Sequence, residues 1–316
     1  MELSKTELAK EEKRLADTIK VIKDNISSLG KELYQDEEKM LEFKKYMWDA
    51  KGGMDGNEIS SLMADNDMEI NILERKNKYL MRLFRVEKKP YFGRIIFKDE
   101  DEENDIYIGI THVEDKLNFY VHDWRSPICS LFYDYELGKA SYKTPAGTVS
   151  GEITLKRQYK IEDGKLLNVF DNNINIEDEV LQDVLANNSS DKMKNIVNTI
   201  QEEQNKVIRN VNDRNLIVQG IAGSGKTSVA LHRIAFLLYR IPNLTSNNVL
   251  IFSPNSIFSE YISNVLPELG EDNTKETTYN TFLKASLKEF NEIESFASFI
   301  ERYYKYNVSD VDLVKY

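Results

Sequence analysis

Cysteine, histidine and proline are scarce in this chain, and each scarcity removes a class of explanation. A single cysteine, Cys129, stands among 316 residues, so no intrachain disulfide can form, and a reducing cytoplasm is the expected compartment. Its thiol reads as structural filler. Of the three histidines, His112 and His122 lack the Cys or acidic partners at the spacing that zinc requires, and they are assigned no chemistry. No apolar run approaches the roughly 18 residues needed to cross a bilayer, so no membrane partner is expected. The N-terminal MELSKTELAKEEKRLAD has no apolar core of the signal-peptide kind. A net charge of -11 weighs against a whole-surface grip on nucleic acid and leaves only local basic patches for that task.

What is present falls into three territories, 1–88, 89–172 and 173–316, and the expected class is α/β multidomain. In the first, nearly free of proline, Leu8, Leu15, Ile22 and Leu29 recur every seven residues, and Ile19, Ile26, Leu33, Met40 and Met47 fill the second line of the seam. Gly30 and Asp36 interrupt it, so the register is expected to bend there. Three glycines in the five positions 52–56 provide a reversal. Ile59, Met63, Ile70, Leu73, Leu80 and Phe84 then predict a second helix returning along the first, giving an antiparallel coiled-coil hairpin. Such a rod suits either packing and dimerisation or a probe that reaches into a partner. Its expected tip carries Trp48, Asp49, Met54, Asp55 and Glu58. The acidic members could meet a metal or a basic wall, but read as solvated turn residues.

The second territory alternates with period two. YFGRIIF, DIYIGITHV, KLNFYVHDW, GEITLKRQYKI and LLNVF read as strands, separated by HVEDKLN, TPAGTVSG and EDGK, so an antiparallel sheet or small barrel is expected. DEDEEND, with six carboxylates in the seven positions 99–105, reads as a solvated loop. Arg125, in DWRSP, could stack or bind a carboxylate, and structural anchoring is the plainer reading.

The third territory opens with helical sequence from about Ile176. LIVQG, 216–220, reads as a strand buried in a parallel sheet and ending near Gln219. KTSVALHRIAFLLYRI reads as a helix with His232 on its surface, and VLIFSP as the next strand of a β-α-β unit. Between the first strand and the helix, Gly220, Gly223, Gly225, Lys226 and Thr227 fit G-x-x-x-x-G-K-[ST]. The glycines let backbone N–H groups close on a triphosphate, Lys226 reaches the β- and γ-phosphates, and Thr227 offers its hydroxyl to Mg²⁺. With Ser224 and Ser228 these are the expected ATP-binding residues, and Lys226 and Thr227 the catalytic pair. The duller alternative is a turn that merely joins strand to helix. Hydrolysis also needs an acidic pair at the end of a later strand, and none follows Thr227. The sequence therefore reads as the first part of a motor domain, expected to bind ATP but not to turn it over.

IQEEQNKVIR, the glycine loop, VLIFSPNSIFSEY and TYNTF, in that order, resemble the superfamily 1 helicases of the Rep and UvrD group. That resemblance implies a RecA-like domain with Gln204 reading adenine. It also implies single-strand contacts from Ser253, Pro254, Asn255, Thr278, Asn280 and Phe282, with Asn280 where a His is common. Over nearly the whole chain, the helical hairpin together with PYFGRIIF, YVHDWRSPICSLFY, GEITLKRQYKI, MKNIVNTIQEEQNKVIRN and the loop resembles the HelD family, helicase-like proteins that associate with bacterial RNA polymerase. The resemblance implies a monomeric ATP- and Mg-dependent motor whose arm enters the polymerase secondary channel and which helps release stalled polymerase. Its motor would also touch single-stranded or duplex DNA. Two alternatives stand beside it: a Rep/UvrD-type DNA helicase of repair or replication, and a non-catalytic nucleotide-sensing adaptor.

Overall fold

The structure, a computed structural model, describes residues 4–50, 56–99, 102–116, 118–171, 202–221, 223–287, 294 and 296–306. The chain divides into two compact units, Met1–Leu244 with Val265–Asp272, and Thr245–Asn264 with Asn273–Tyr316.

The first unit begins with helix α1, Lys5–Ala50, 46 residues long. Ser4 and Glu7 start it by a reciprocal cap: the Ser4 backbone N–H donates to Glu7 Oε2 at 3.2 Å, and the Glu7 N–H donates to Ser4 Oγ at 3.3 Å. Its covered face follows the expected spacing from Leu15 onward, with Leu15 and Ile22 buried and Ile19, Ile26, Leu29, Leu33, Asp36, Met40 and Met47 half-buried, while Leu8, expected on the same seam, is 38% exposed. Helix α2, Gly56–Val86, covers Leu62, Asn66, Ile70, Leu73, Lys76, Leu80, Leu83 and Val86. Met63 and Phe84, expected on that seam, are instead 56% and 51% exposed. The four-three spacing on α2 runs through two polar residues, Asn66 and Lys76, so a reading of apolar positions alone slides onto the neighbouring face. Lys76 Nζ reaches Asp36 Oδ2 at 2.8 Å and Glu32 Oε2 at 3.4 Å, and Lys23 meets Glu87 at 3.7 Å. Asp36 thus sits on the seam because it has a cation there, and the hydrogen bond from Lys76 holds its carboxyl below the usual range.

The helices are followed by a seven-stranded mixed sheet, of order β3-β4-β2-β1-β6-β5 with β7 also on β6. Its strands are β1 (Gly93–Lys98), β2 (Glu103–Gly109), β3 (Val113–Asp115), β4 (Asn118–Asp123), β5 (Gly138–Thr144), β6 (Gly147–Glu162) and β7 (Lys165–Asp171). Two expectations are corrected. The described strands close no barrel, and β2 with β4 is a parallel pair, because the short β3 returns the chain on the outer side of β4. The acidic run is also only partly loop: Glu103–Asp105 belongs to β2, where Asp105 pairs with Arg94. The turn EDGK behaves as read, with Asp163 and Gly164 both at positive φ (47° and 74°) closing the β6–β7 hairpin.

The base of the helical pair packs on this sheet. Leu15, Ile22, Leu83 and Val86 share one core with Tyr91, Tyr107, Val113, Val121, Tyr159 and Ile161. At its centre lies a charge: Glu11, 2% exposed, accepts from Arg94 Nη1 at 2.7 Å, Arg157 Nη1 at 2.6 Å, Tyr107 Oη at 3.1 Å and Tyr159 Oη at 2.9 Å. Four donors on one carboxylate offset the cost of removing it from water. Each arginine keeps a second carboxylate, Arg94 with Asp105 and Arg157 with Asp171.

After β7 come α3's later companions. The short helix α3, Ser130–Asp134, lies between β4 and β5, and α4 (Glu202–Arg209) and α5 (Lys226–Arg240) follow β7. The helical sequence expected from Ile176 is helix over Glu202–Arg209, and 172–201 lies outside the described residues. The strand expected at 216–220 does not form: no described residue pairs with it, and Ile217 is 93% exposed. A parallel strand is held by its neighbours, and without one its apolar side chains have nothing to cover them. The second unit holds the parallel pair β8 (Leu250–Ser253) and β9 (Lys275–Thr278), most of α6 (Ser256–Glu268), and helices α7 (Tyr279–Ser286) and α8 (Phe296–Tyr306). Among the described residues no helix is long and apolar enough to cross a membrane.

Replacing Glu11 by Gln removes the charge that buried Arg157, half-buried Arg94 and two tyrosines converge on, and is expected to cost about 3 kcal/mol of stability. Urea unfolding followed by circular dichroism measures it, and a loss below about 1 kcal/mol would show that the arginines' other carboxylates suffice.

Candidate nucleotide site and nucleic-acid contacts

The glycine loop owes its shape to backbone freedom. Gly223 and Gly225 take φ of +84° and +79°, and a side chain on Gly220 would meet Ser224 Oγ at 2.5 Å. The Ile221 carbonyl accepts from the Ser224 N–H at 3.3 Å and from Lys226 Nζ at 2.6 Å, which holds the ammonium at the loop. Gly225 then caps α5 without a side chain, so the first-turn N–H groups of that helix carry no side-chain partner at their cap. Lys226, Thr227 and Ser228 occupy this first turn, all half-buried, and Ser228 Oγ is a buried hydroxyl without a hydrogen-bond partner. Open amides, a helix N-terminus, an orphaned hydroxyl and one ammonium fit a polyphosphate. Among the described residues no group of three His, Cys, Asp or Glu could hold a metal ion.

Helix α4 stands against the loop: Gln204 Nε2 lies 3.4 Å from where a Cβ on Gly225 would be. Its neighbour Asn205 is 1% exposed and donates to Asp134 Oδ1 at 2.7 Å. Arg209 closes the helix, donating to the carbonyls of Trp124 (2.6 Å), Arg125 (3.2 Å) and Ser126 (3.2 Å), and to Asn205 Oδ1 at 3.0 Å. Arg233 on α5 donates to the Val207 carbonyl at 2.6 Å and ties the two helices together. None of Asn205, Arg209 or Asp134 stood out in the sequence, although Asn205 and Arg209 share one helix face at the i, i+4 spacing.

Arg125 is fully buried and structural. It forms a fork with Asp123 (Nε to Oδ1 2.8 Å, Nη2 to Oδ2 2.6 Å), pairs with Glu271, and lies 4.7 Å over the Tyr239 ring. Cys129 is also buried, and burial pushes its thiol up to about 12, which makes it inert. His232 contradicts its surface assignment: it is 1% exposed, 5.6 Å from Trp124 edge to face, with Nδ1 against the Ser228 carbonyl at 2.7 Å. The α5 face that packs on the DWRSP turn includes position 232, so an isolated polar residue on an amphipathic helix was misplaced by its chemistry. Gln219 is exposed and ends no strand.

In the second unit Ser253 and Thr278 are register partners at the ends of β8 and β9, which brings the two helicase-like motifs together. Several of the expected contact residues are engaged locally. Ser253 is buried and bonds the Asn255 carbonyl at 3.0 Å. Asn255 caps α6 through the Phe258 N–H at 2.8 Å, and Thr278 caps α7 through the Thr281 N–H at 3.2 Å. Pro254, Asn280 and Phe282 are exposed. Phe252, which the motif reading passed over, meets Phe282 edge to face at 5.2 Å and is 51% exposed. At the far end of α1, Trp48 is 78% exposed and Asp49 is exposed, while Met54, Asp55 and the side chain of Glu58 lie outside the described residues.

With this geometry in place, comparison with known families puts the chain among helicase-related proteins. It belongs to the family described as DNA helicase IV HelD, N-terminal domain, whose model matches residues 8–209. No curated protein matches it.

Burial holds all three histidines below their ordinary value of 6.5, and His232 falls to about 4. As pH drops through 6.5 the unfolded chain takes up these protons before the folded one does. Stability is therefore full above pH 6.5 and declines toward pH 4, by up to roughly 1.4 kcal/mol per pH unit from His232. Urea midpoints at pH 7 and pH 5 should differ in that direction, and His232→Gln should flatten the slope; an unchanged slope would place the proton uptake elsewhere.

Proposed function

We propose that this chain is part of a HelD-type, helicase-like ATP-driven motor that binds bacterial core RNA polymerase through its helical pair and helps free stalled polymerase from nucleic acid. The observation that carries the reading is the family match over residues 8–209, which covers the helices and the sheet and stops at α4, with the phosphate loop directly after it. In this reading α1 and α2 form an antiparallel coiled-coil arm (1–88) rooted on a β-rich module (89–172), and 173–316 begins a RecA-like motor domain. Trp48 and Asp49, exposed at the far end of α1, suit the arm's contact with polymerase.

ATP with Mg²⁺ is the nucleotide the loop is read to hold. Bound ATP would supply the phosphoryl group whose hydrolysis drives the motor. Lys226 would release the Ile221 carbonyl to grip the phosphates, Thr227 would orient the cation, the amides of Gly223 to Ser228 would neutralise charge, and Gln204 would select adenine. Exposed Phe252 and Phe282 supply a stacking surface for single-stranded DNA, which also suits the Rep/UvrD-type alternative.

Two measurements test this. A chain in which residues 37–75 are replaced by a short glycine linker keeps Glu11, Leu15, Ile22 and Leu83 and should fold, yet fail to co-migrate with core RNA polymerase on a sizing column where the intact chain does. Retained co-migration would move the contact off the arm. Lys226→Ala should weaken ATP binding about tenfold or more in equilibrium titration; equal affinity would leave the loop a mere connector.

A further inference from the structure

A polar clamp on the helix that carries Gln204 is accounted for neither by the phosphate loop nor by the family match. Gln204 stands beside Gly225. The next residue, Asn205, has both ends of its amide committed, Nδ2 to Asp134 and Oδ1 to Arg209 Nε. That assignment fixes the amide's orientation, since Asp134 can only accept and Arg209 can only donate. Arg209 in turn spends its two Nη groups on three successive carbonyls of the turn after β4, residues 124 to 126, and lies 5.2 Å over the Phe236 ring of α5. A guanidinium can bind that set because its donors lie in a plane; an ammonium cannot. The clamp is costly to bury, and burial pulls the Arg209 pKa down from the ordinary guanidinium value. Three of its partners are main-chain carbonyls, so it carries positional information: it fixes the height and rotation of α4 against a turn of the sheet.

We propose that Arg209, acting through Asn205, is a positioning residue for base selection, holding the Gln204 amide where it distinguishes adenine from guanine above the phosphate loop. The proposal rests on the reading of Gln204 as the adenine-contacting residue. Its content is that the sheet module sets nucleotide specificity, through the turn after β4, whereas the phosphates are held by α5 and the loop alone. An amide presents a donor and an acceptor, and adenine and guanine carry theirs in opposite places on the six-membered ring. Loss of the clamp therefore penalises adenine more than the phosphates, because the Arg233 bond to the Val207 carbonyl still holds α4 on α5.

Equilibrium titration of the protein with ATP and with GTP, each carrying a fluorescent ribose label, tests it, and the readout is the ratio of the two affinities. The unaltered protein should prefer ATP, and Gln204→Ala should erase the preference. Arg209→Ala should lower it about tenfold by weakening ATP while GTP binding stays as it was. Arg209→Lys, which keeps the charge but loses the fork, should not restore it. If Gln204→Ala erases the preference and Arg209→Ala leaves it intact, or weakens both nucleotides equally, the positioning role is overturned while base reading by Gln204 stands. If Gln204→Ala leaves the preference unchanged, the base reading fails and the proposal with it. Should thermal melting show that Arg209→Ala does not fold, Asn205→Ala, which cuts the clamp at a single amide, must lower the ratio in the same way, and an unchanged ratio there overturns the proposal.

Discussion

The carboxylate of Glu11 is the contact on which the first unit depends. A helix of 46 residues and its partner of 31 bury little besides their shared seam, and that seam contains Asp36, Asn66 and Lys76. Alone it would fix neither the direction nor the rotation of the pair. One buried charge at the base of α1, met by two arginines and two tyrosines from β1, β2 and β6, does both, because a buried carboxylate tolerates no position in which its donors are missing. The tyrosines double as core: the Tyr91, Tyr107 and Tyr159 rings pack within 6.1 Å of one another under the same helix.

A second set of charges fastens α2. Lys78, Arg82 and Arg85 lie on one face and reach Asp272 at 3.0 Å, Glu271 at 3.3 Å and the Pro267 carbonyl at 3.4 Å. Glu271 also takes Arg125, whose backbone carbonyl is one of those that Arg209 binds. From α2 to α5 there is thus a connected series of ionic and main-chain contacts inside one compact unit: Arg82, Glu271, Arg125, Arg209, α4 and, through the Arg233 bond to the Val207 carbonyl, α5. The long helices, α4 and the helix that follows the glycine loop are thus tied together within one unit, and the sheet is its frame.

Much of this was legible in the sequence where local chemistry decides the outcome. The seven-residue spacing of α1 from Leu15 onward, the Asp-Gly turn of EDGK, the five strand runs and the helix that follows the glycines are all set by backbone and periodicity, and each lies where it was read. The errors fall where tertiary partners decide. Lys76 and Asn66 belong to the α2 seam because Asp36 and the opposite helix receive them, which no apolar count reveals. GKASYKT becomes β5 because β6 is 16 residues long and offers an edge to it, although its own alternation is weak. His232 is buried because the turn after β4 covers it. At the site, the glycines and Lys226 are written in a motif, but Arg209, Asn205 and Asp134 come from two distant segments, and only the fold brings them together.

In the proposed function the far end of α1 is the surface that would meet polymerase. Because Cys129 is the sole cysteine and is fully buried, a Trp48→Cys variant can be labelled at that position alone with a photoactivated cross-linker. Mixed with core RNA polymerase and illuminated, it should cross-link to polymerase subunits, and a label at Asn280→Cys should do so far less. Cross-linking from position 280 with none from position 48 would contradict the account.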